Sequence, residues 1–240
     1  MKLKKIASLA LAGIMAVSML AGCSNGSNGG NGDDPIVTPN TTPIVEAVNK
    51  GQSASNLVKI NFTANSSLDS ALQKAVSVYG NDATDDEVAN AITRITGLKM
   101  VTPDAAWYRG GNGTLVTNGF LNNMVKYNQH HATGEDIGDE DGKTYTQYGV
   151  KIFPALTNEA ALNIVANAVN EEIAKLAATS NDNDNDGKLN SGVTVGGQDK
   201  YYSYGYDGSI SMVSVEGLNG QTYYYVAYVV NQTVTETTLK

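Results

Sequence analysis

The stretch 200–232, KYYSYGYDGSISMVSVEGLNGQTYYYVAYVVNQ, decides the fold class. It alternates aromatic or β-branched residues with small polar ones, the pattern of strands whose successive side chains point to opposite faces. Asp207-Gly208 and Asn219-Gly220 interrupt the alternation, and both dipeptides are signals for two-residue type I′ hairpin turns. They predict a three-stranded antiparallel meander over 200–206, 209–216 and 221–232. Two tight turns would pair Tyr202 with Val213 and Val213 with Val226, and Tyr204 with Ser211 and Ser211 with Tyr228. One face would then carry Tyr202, Tyr204, Tyr206, Val213, Val215, Tyr224, Val226, Tyr228 and Val230. The other would carry Tyr201, Ser203, Ile210, Met212, Ser214, Tyr223, Tyr225, Ala227 and Val229.

Upstream the periodicity changes. Residues 58–64 and 144–153 alternate like strands, with Pro154 expected to end the second. Residues 68–79 carry an apolar stripe (Leu68, Ala71, Leu72, Ala75, Val76, Tyr79) behind a Ser66-x-x-Asp69 capping box and before Gly80. Residues 85–96 repeat the design, with Thr84-x-x-Glu87 in front, Val88, Ala91, Ile92 and Ile95 inward, and Gly97 behind. The two helices are expected to pack as an antiparallel pair. A weaker helix is predicted over 120–131, and the longest over 159–178 with Leu162, Val165, Val169, Ile173 and Leu176 inward. The expected fold is a single α+β domain over 44–240, about four helices packed on an antiparallel sheet that ends in the meander.

The start of the chain has a different composition. Lys2, Lys4 and Lys5 precede an uncharged apolar run over 6–20, shorter than the roughly 20 residues a helix needs to span a bilayer. Leu20-Ala21-Gly22-Cys23 follows. This order of features resembles the signal peptide and lipobox of bacterial lipoproteins. The resemblance covers residues 1–23 and implies cleavage after residue 22, diacylglyceryl modification and palmitate at Cys23, export, and a membrane anchor with the domain outside the cytoplasm. Cys23 is the only cysteine, so no intrachain disulfide can form, and a lipid-bearing sulfur leaves no thiol nucleophile. Residues 23–43, rich in Gly, Asn and Ser and then holding Pro35, Pro39 and Pro43, read as a tether.

Charge narrows the partners. Three of the 16 basic residues lie in the leader, so 13 face 24 acids in the remainder, a net −11. Such a surface repels nucleic-acid phosphates, and no nucleic-acid partner is expected. Asp182, Asp184 and Asp186 are followed by Gly187, Lys188, Leu189 and Asn190. This run resembles the first nine positions of an EF-hand or dockerin calcium loop. The resemblance implies carboxylate ligands at Asp182, Asp184 and Asp186, a backbone carbonyl from Lys188 and a contribution from Asn190. Position 12 is Val193 in place of the acid, so a weak structural Ca2+ is the expectation, with Asp199 a candidate replacement ligand. No second loop and no cohesin-type partner are implied.

Catalytic signatures are sparse. There is no G-x-S-x-G elbow, no P-loop, no dinucleotide fingerprint and no zinc-binding helix motif, and His130 and His131 are adjacent, a poor spacing for joint chelation. Eight of thirteen tyrosines fall in the last forty residues, which turns attention from chemistry to surface. If helices cover one sheet face only, Tyr202, Tyr204, Tyr206, Tyr224 and Tyr228 form a candidate binding surface for a glycan or a protein. A sheet covered on both faces would make them core instead. The expectation is a membrane-tethered, non-catalytic binding module. The alternatives are an envelope hydrolase and a transporter's substrate-binding lipoprotein.

Overall fold

The computed structural model describes residues 37–80, 83–98, 141–174, 176, 178–179, 193–195, 198–217 and 220–238. In chain order the elements are β1 (Val37–Pro39), α1 (Thr41–Gly51), β2 (Asn61–Thr63), α2 (Ser66–Tyr79), α3 (Asp85–Thr96), β3 (Thr144–Ala155), α4 (Asn158–Ile173), β4 (Val193–Val195), β5 (Gln198–Glu216) and β6 (Thr222–Thr237). The predicted helix over 120–131, His130 and His131 lie outside the described residues.

The domain is α+β, and its sheet is mixed. β5, β6 and β3 form an antiparallel core, β1 and β4 add to β5 antiparallel, and β2 adds to β5 parallel. The meander expected from the sequence is corrected to two long strands. Asp207-Gly208 is not a turn: β5 runs through it, pairing Asp207 with Asn231 and Gly208 with Val230 on one edge. On the other edge the same residues pair with Asn61 and Phe62. Gly208 is glycine because the Phe62 ring lies against it; a Cβ there would sit 2.8 Å from Phe62 Cε1.

Gly220 closes the real hairpin, with φ at +76°. Its N–H donates to Gly217 O at 2.9 Å, and Gly217 N–H donates to Gln221 O at 2.7 Å. The connection is therefore three residues long, which shifts β5 against β6 by one position from the expected register, to Val213 opposite Tyr225 and Met212 opposite Val226. A one-residue slip exchanges the faces of a strand. The missing first turn and the longer second one each exchange faces once. The two errors cancel for the tyrosines, so Tyr202, Tyr204, Tyr206, Tyr224 and Tyr228 do share a face, but with Ile210 and Met212 rather than Val213 and Val215.

Helices cover the sheet on both sides. One face, with Ile210, Met212, Tyr224, Val226, Tyr228 and Val230, packs against Ile44 and Val48 of α1, Val165 and Val169 of α4, and Val58, Ile60 and Phe62. The other, with Tyr148, Val150, Val213, Val215, Tyr225 and Ala227, packs against Leu68, Leu72 and Val76 of α2 and Val88 and Ile92 of α3. Tyrosines are the bulkiest side chains of this largely aliphatic core, and each aromatic ring buries roughly 150–250 Å². Their hydroxyls find partners: Tyr148 donates to Ala89 O at 3.1 Å and Tyr225 to Gly80 O at 2.8 Å, while Tyr206 accepts from Gln232 Nε2 at 2.8 Å. Burial, reinforced by Tyr228, pushes the Tyr148 phenol well above its ordinary range. Burial does the same to Tyr206, against a smaller opposing effect of the Gln232 hydrogen bond.

Several local expectations change for identifiable reasons. Residues 37–43 belong to the fold and not to the tether, since β1 pairs with Val213–Val215 and α1 starts at Thr41. Asn65 rather than Ser66 caps α2, accepting from the Ser67 and Leu68 amides, and this leaves Asp69 to accept from Thr41 Oγ1 at 2.9 Å. The capping box of α3 forms as expected; hydrogen bonds from the Thr84 amide and then its hydroxyl hold the Glu87 carboxyl below its ordinary value. Ile95 is exposed, and Ala89 takes the inward position. Pro154 does not end β3 but pairs with Tyr223. Ile152, two residues earlier, turns its N–H away from β6 to Asp85 Oδ1 at 2.9 Å. Pro154 has the same parity, so the donor it lacks would have pointed off the sheet and no ladder bond is lost.

β2 is held from both sides. α1 supplies Asn49 and its C-cap supplies Gln52; each carboxamide bonds both backbone groups of one residue, Phe62 and Ile60 respectively. Two side chains thus imitate a neighbouring strand along the edge of β2 that faces away from β5.

Candidate functional site

The candidate residues singled out from the sequence fare differently. Cys23, and Asp182, Asp184, Asp186, Lys188 and Asn190, lie outside the described residues. The tyrosine face is corrected. Tyr202, Tyr204, Tyr224 and Tyr228 are 1, 8, 4 and 2% exposed, and Tyr206 is half-buried against the same cluster. They are not a free surface: all are buried or half-buried, and α1 and α4 cover the part of the face with Tyr206, Tyr224 and Tyr228 that a one-sided sheet would have left open.

An open region lies elsewhere on the sheet. α2 and α3 cover their face only along the half nearest the β5–β6 hairpin, where β3, β5 and β6 present apolar side chains. Beyond Tyr148 and Val229 the same face turns polar. Strand alternation and register place Asp207, Asn231 and Thr146 in one rung, Gly205, Thr233 and Thr144 in the next, and Ser203 with Thr235, then Tyr201 with Thr237, after that. Thr144, Gly205, Asp207 and Thr235 are exposed, and the others named are half-buried.

The first rung is organised. Thr146 Oγ1 donates to Asn231 Oδ1 at 2.8 Å, and Asn231 Nδ2 donates to Asp207 Oδ1 at 2.8 Å. In the second rung Gly205 is exposed, and among the described residues the nearest atom to a Cβ on it is Thr233 O, at 4.0 Å. The support beneath is firm: Tyr202, Tyr204, Gln232 and Val234 on the opposite face of the same strands are all buried. Hydroxyls and one carboxamide–carboxylate pair are thus held on rigid strands at sheet spacing, an arrangement that hydrogen-bonds a flat polar ligand and carries no nucleophile–base pair.

The placement of this half-face follows from β1. Val37 lies opposite Val215, so the chain enters the sheet beside the β5–β6 hairpin. Tyr201 is fourteen positions further along β5, about 46 Å away at 3.3 Å per residue. The described residues nearest 182–190 on either side, Thr179 and Val193, lie at that distant end. Thr179 bridges Ser203, Tyr204 N–H donates to Ala178 O at 2.9 Å, and Val193 pairs with Lys200. The backbone of Asp199 lies opposite Thr194, next to the position where a calcium loop carries its last acid.

β6 continues to Thr237, five residues past the end expected from the sequence, and the outer rungs of this region lie in that extension. The alternation of Thr233, Thr235 and Thr237 around Val234 was its one signal. Among the described residues no group of three or more His, Cys, Asp or Glu side chains is placed to hold a metal ion, and no helix is long and apolar enough to cross a membrane. The fold and this face define a class, a helix-covered α+β domain with a partly open, polar sheet face. No protein-family model, curated protein or solved structure matches the chain.

Proposed function

We propose that this protein is a lipid-anchored, extracytoplasmic, non-catalytic binding module of a bacterial envelope, and that it presents the polar half of its sheet to a glycan or protein ligand. The observation that carries this reading is the division of one sheet face into an apolar half under helices and a polar, exposed half at the end remote from β1. The lipobox-like leader supports the anchor at Cys23. Thirteen residues lie between Cys23 and Val37, and the fourteen Cα steps span at most about 50 Å when fully extended.

The test uses the single cysteine. In a Thr235→Cys chain the new thiol is the only free one once Cys23 carries lipid. It is expected to react rapidly with a maleimide in the purified protein and several-fold more slowly in isolated envelopes, where ligand covers it. A Cys23→Ser chain is expected to leave the membrane fraction. Equal labelling rates in the two settings, or membrane retention of Cys23→Ser, would contradict the reading.

The loop 182–190 is proposed to hold a weak, structural Ca2+. The attachment of its flanks to neighbouring points on β5 supports this, because a loop with fixed ends loses less entropy on closing around an ion. Calorimetry of the full chain should give a dissociation constant of about 0.1–1 mM, the range of extracellular modules. Asp184→Ala should abolish the heat, and a silent titration of the unaltered chain would remove the site.

A further inference from the structure

The two outer edges of the sheet are closed in different ways. Along the outer edge of β5 the partners are backbone: β1, β2 and β4 pair there. Among the described residues β3 ends the sheet order on the other side. In the half nearest the hairpin its outer edge is occupied by side chains, and three observations fall on the same few residues.

First, Ile152 N–H, which points away from β6, donates to Asp85 Oδ1 at 2.9 Å. Second, the other oxygen of that carboxylate, Oδ2, accepts from Lys151 Nζ at 2.8 Å. Val150 and Ile152 belong to the face covered by α2 and α3, and Phe153 to the face covered by α1 and α4. Strand alternation places Lys151 with Phe153. The ion pair therefore joins a helix on one face to a side chain rooted on the other, and it passes across the outer edge of β3. Third, Pro154 occupies the next outward-pointing position and has no N–H to offer.

A strand edge with open N–H and C=O groups pairs with other strands, and proteins close such edges with charged side chains, proline and covering elements. Asp85 at the start of α3, Lys151 and Pro154 supply all three at one place. An ion pair whose side chains are 31% and 33% exposed adds little to stability, so its position accounts for it better than its strength does. A strand edge is self-complementary about a two-fold axis. The partner excluded is thus β3 of a second copy of this chain, with Val150 and Ile152 continuing the apolar face across the new pair. We propose that the Asp85–Lys151 clasp and Pro154 keep the domain from joining a second copy edge to edge through β3. This goes beyond the binding-module reading and does not depend on it.

The test opens the edge. In Asp85→Ala/Pro154→Thr two outward positions regain a usable N–H, and no bond of the β3–β6 ladder is touched. The full chain in detergent is followed by light scattering across a dilution series. The unaltered chain is expected to stay monomeric, and the variant to show a concentration-dependent, roughly twofold rise in protein mass. Between the dilute and the concentrated variant, amide hydrogen exchange at Val150 and Ile152 should slow several-fold as the edge becomes paired. Lys151→Ala/Pro154→Thr, in which Asp85 still opens α3, is the second variant and should associate at higher concentration. Two variants that both remain monomeric, or a dimer whose Val150 and Ile152 amides exchange as fast as in the monomer, would overturn the proposal. So would an unaltered chain that already dimerises with those amides protected.

Discussion

Gly149→Ala should lower the stability of the domain by about 3 kcal/mol, the upper part of the range for inserting a methyl group into a packed core. Gly149 lies opposite Tyr228 in the β3–β6 ladder. A Cβ on it would fall 2.2 Å from Tyr228 Oη, 2.4 Å from Cζ and 2.7 Å from Cε1. Those are atoms of a rigid ring that is 2% exposed and packed in the cluster with α1 and α4, so the ring cannot swing aside without opening that layer. For a domain of this size the loss corresponds to a fall in melting temperature of roughly 6–12 °C. Shortening the ring should relieve the clash. In a double-mutant cycle with Tyr228→Val the two changes together should cost clearly less than their sum. A Gly149→Ala chain that melts within a degree or two of the parent would show that the ring is not seated there.

Gly208→Ala is the second large effect, about 2 kcal/mol, and it separates two readings of the same dipeptide. In a type I′ turn an alanine at this position would suffer from positive φ and would be indifferent to residue 62. In the structure it meets Phe62 Cε1 at 2.8 Å, Cδ1 at 2.9 Å and the Val229 carbonyl oxygen at 3.1 Å. The carbonyl belongs to the central ladder and cannot yield, so the Phe62 ring must move. Phe62→Leu should therefore couple to Gly208→Ala by at least about 0.5 kcal/mol, the size expected of residues in contact. Additive effects in denaturant titrations would restore the turn.

These two glycines explain why the strand pattern was only partly legible. A glycine beside an aspartate in a tyrosine-rich stretch carries the local signal of a turn. That signal is indistinguishable from a glycine selected by a ring arriving from more than 140 residues away in the sequence, as Phe62 does. The second turn signal did lie in a hairpin, but Gly217 and Gln221 extended the loop by one residue, which no local rule fixed. Helix signals travelled better, because caps are short-range. Thr84 and Glu87 form the expected box, whereas Asn65 caps α2 one residue before Ser66, and Asp69 accepts from Thr41 across the domain instead of closing a box.

Of the candidate site, the sequence made the tyrosines conspicuous by number, yet number does not distinguish a ring that faces solvent from one under a helix. The polar half-face had the opposite character. Its threonines, serine and asparagine are unremarkable along the chain, and they become a surface only when β3, β5 and β6 align their rungs.

The sequence by itself determined the α+β composition, the positions of α2, α3 and α4 but not of α1, the tyrosine-rich β end of the chain, the acidity and the single cysteine. These depend on periodicity, on capping within a turn of helix and on counting, all local or additive properties. Only the tertiary structure decided that residues 200–216 form one strand, that both faces of the sheet are covered near the hairpin, and that α2 and α3 stop short of the polar rungs at the far end. The reason is that a strand's neighbours and a face's cover are supplied by distant segments. β1, β2 and β4 fill the outer edge of β5 from three different parts of the chain, and no window along the sequence contains them together.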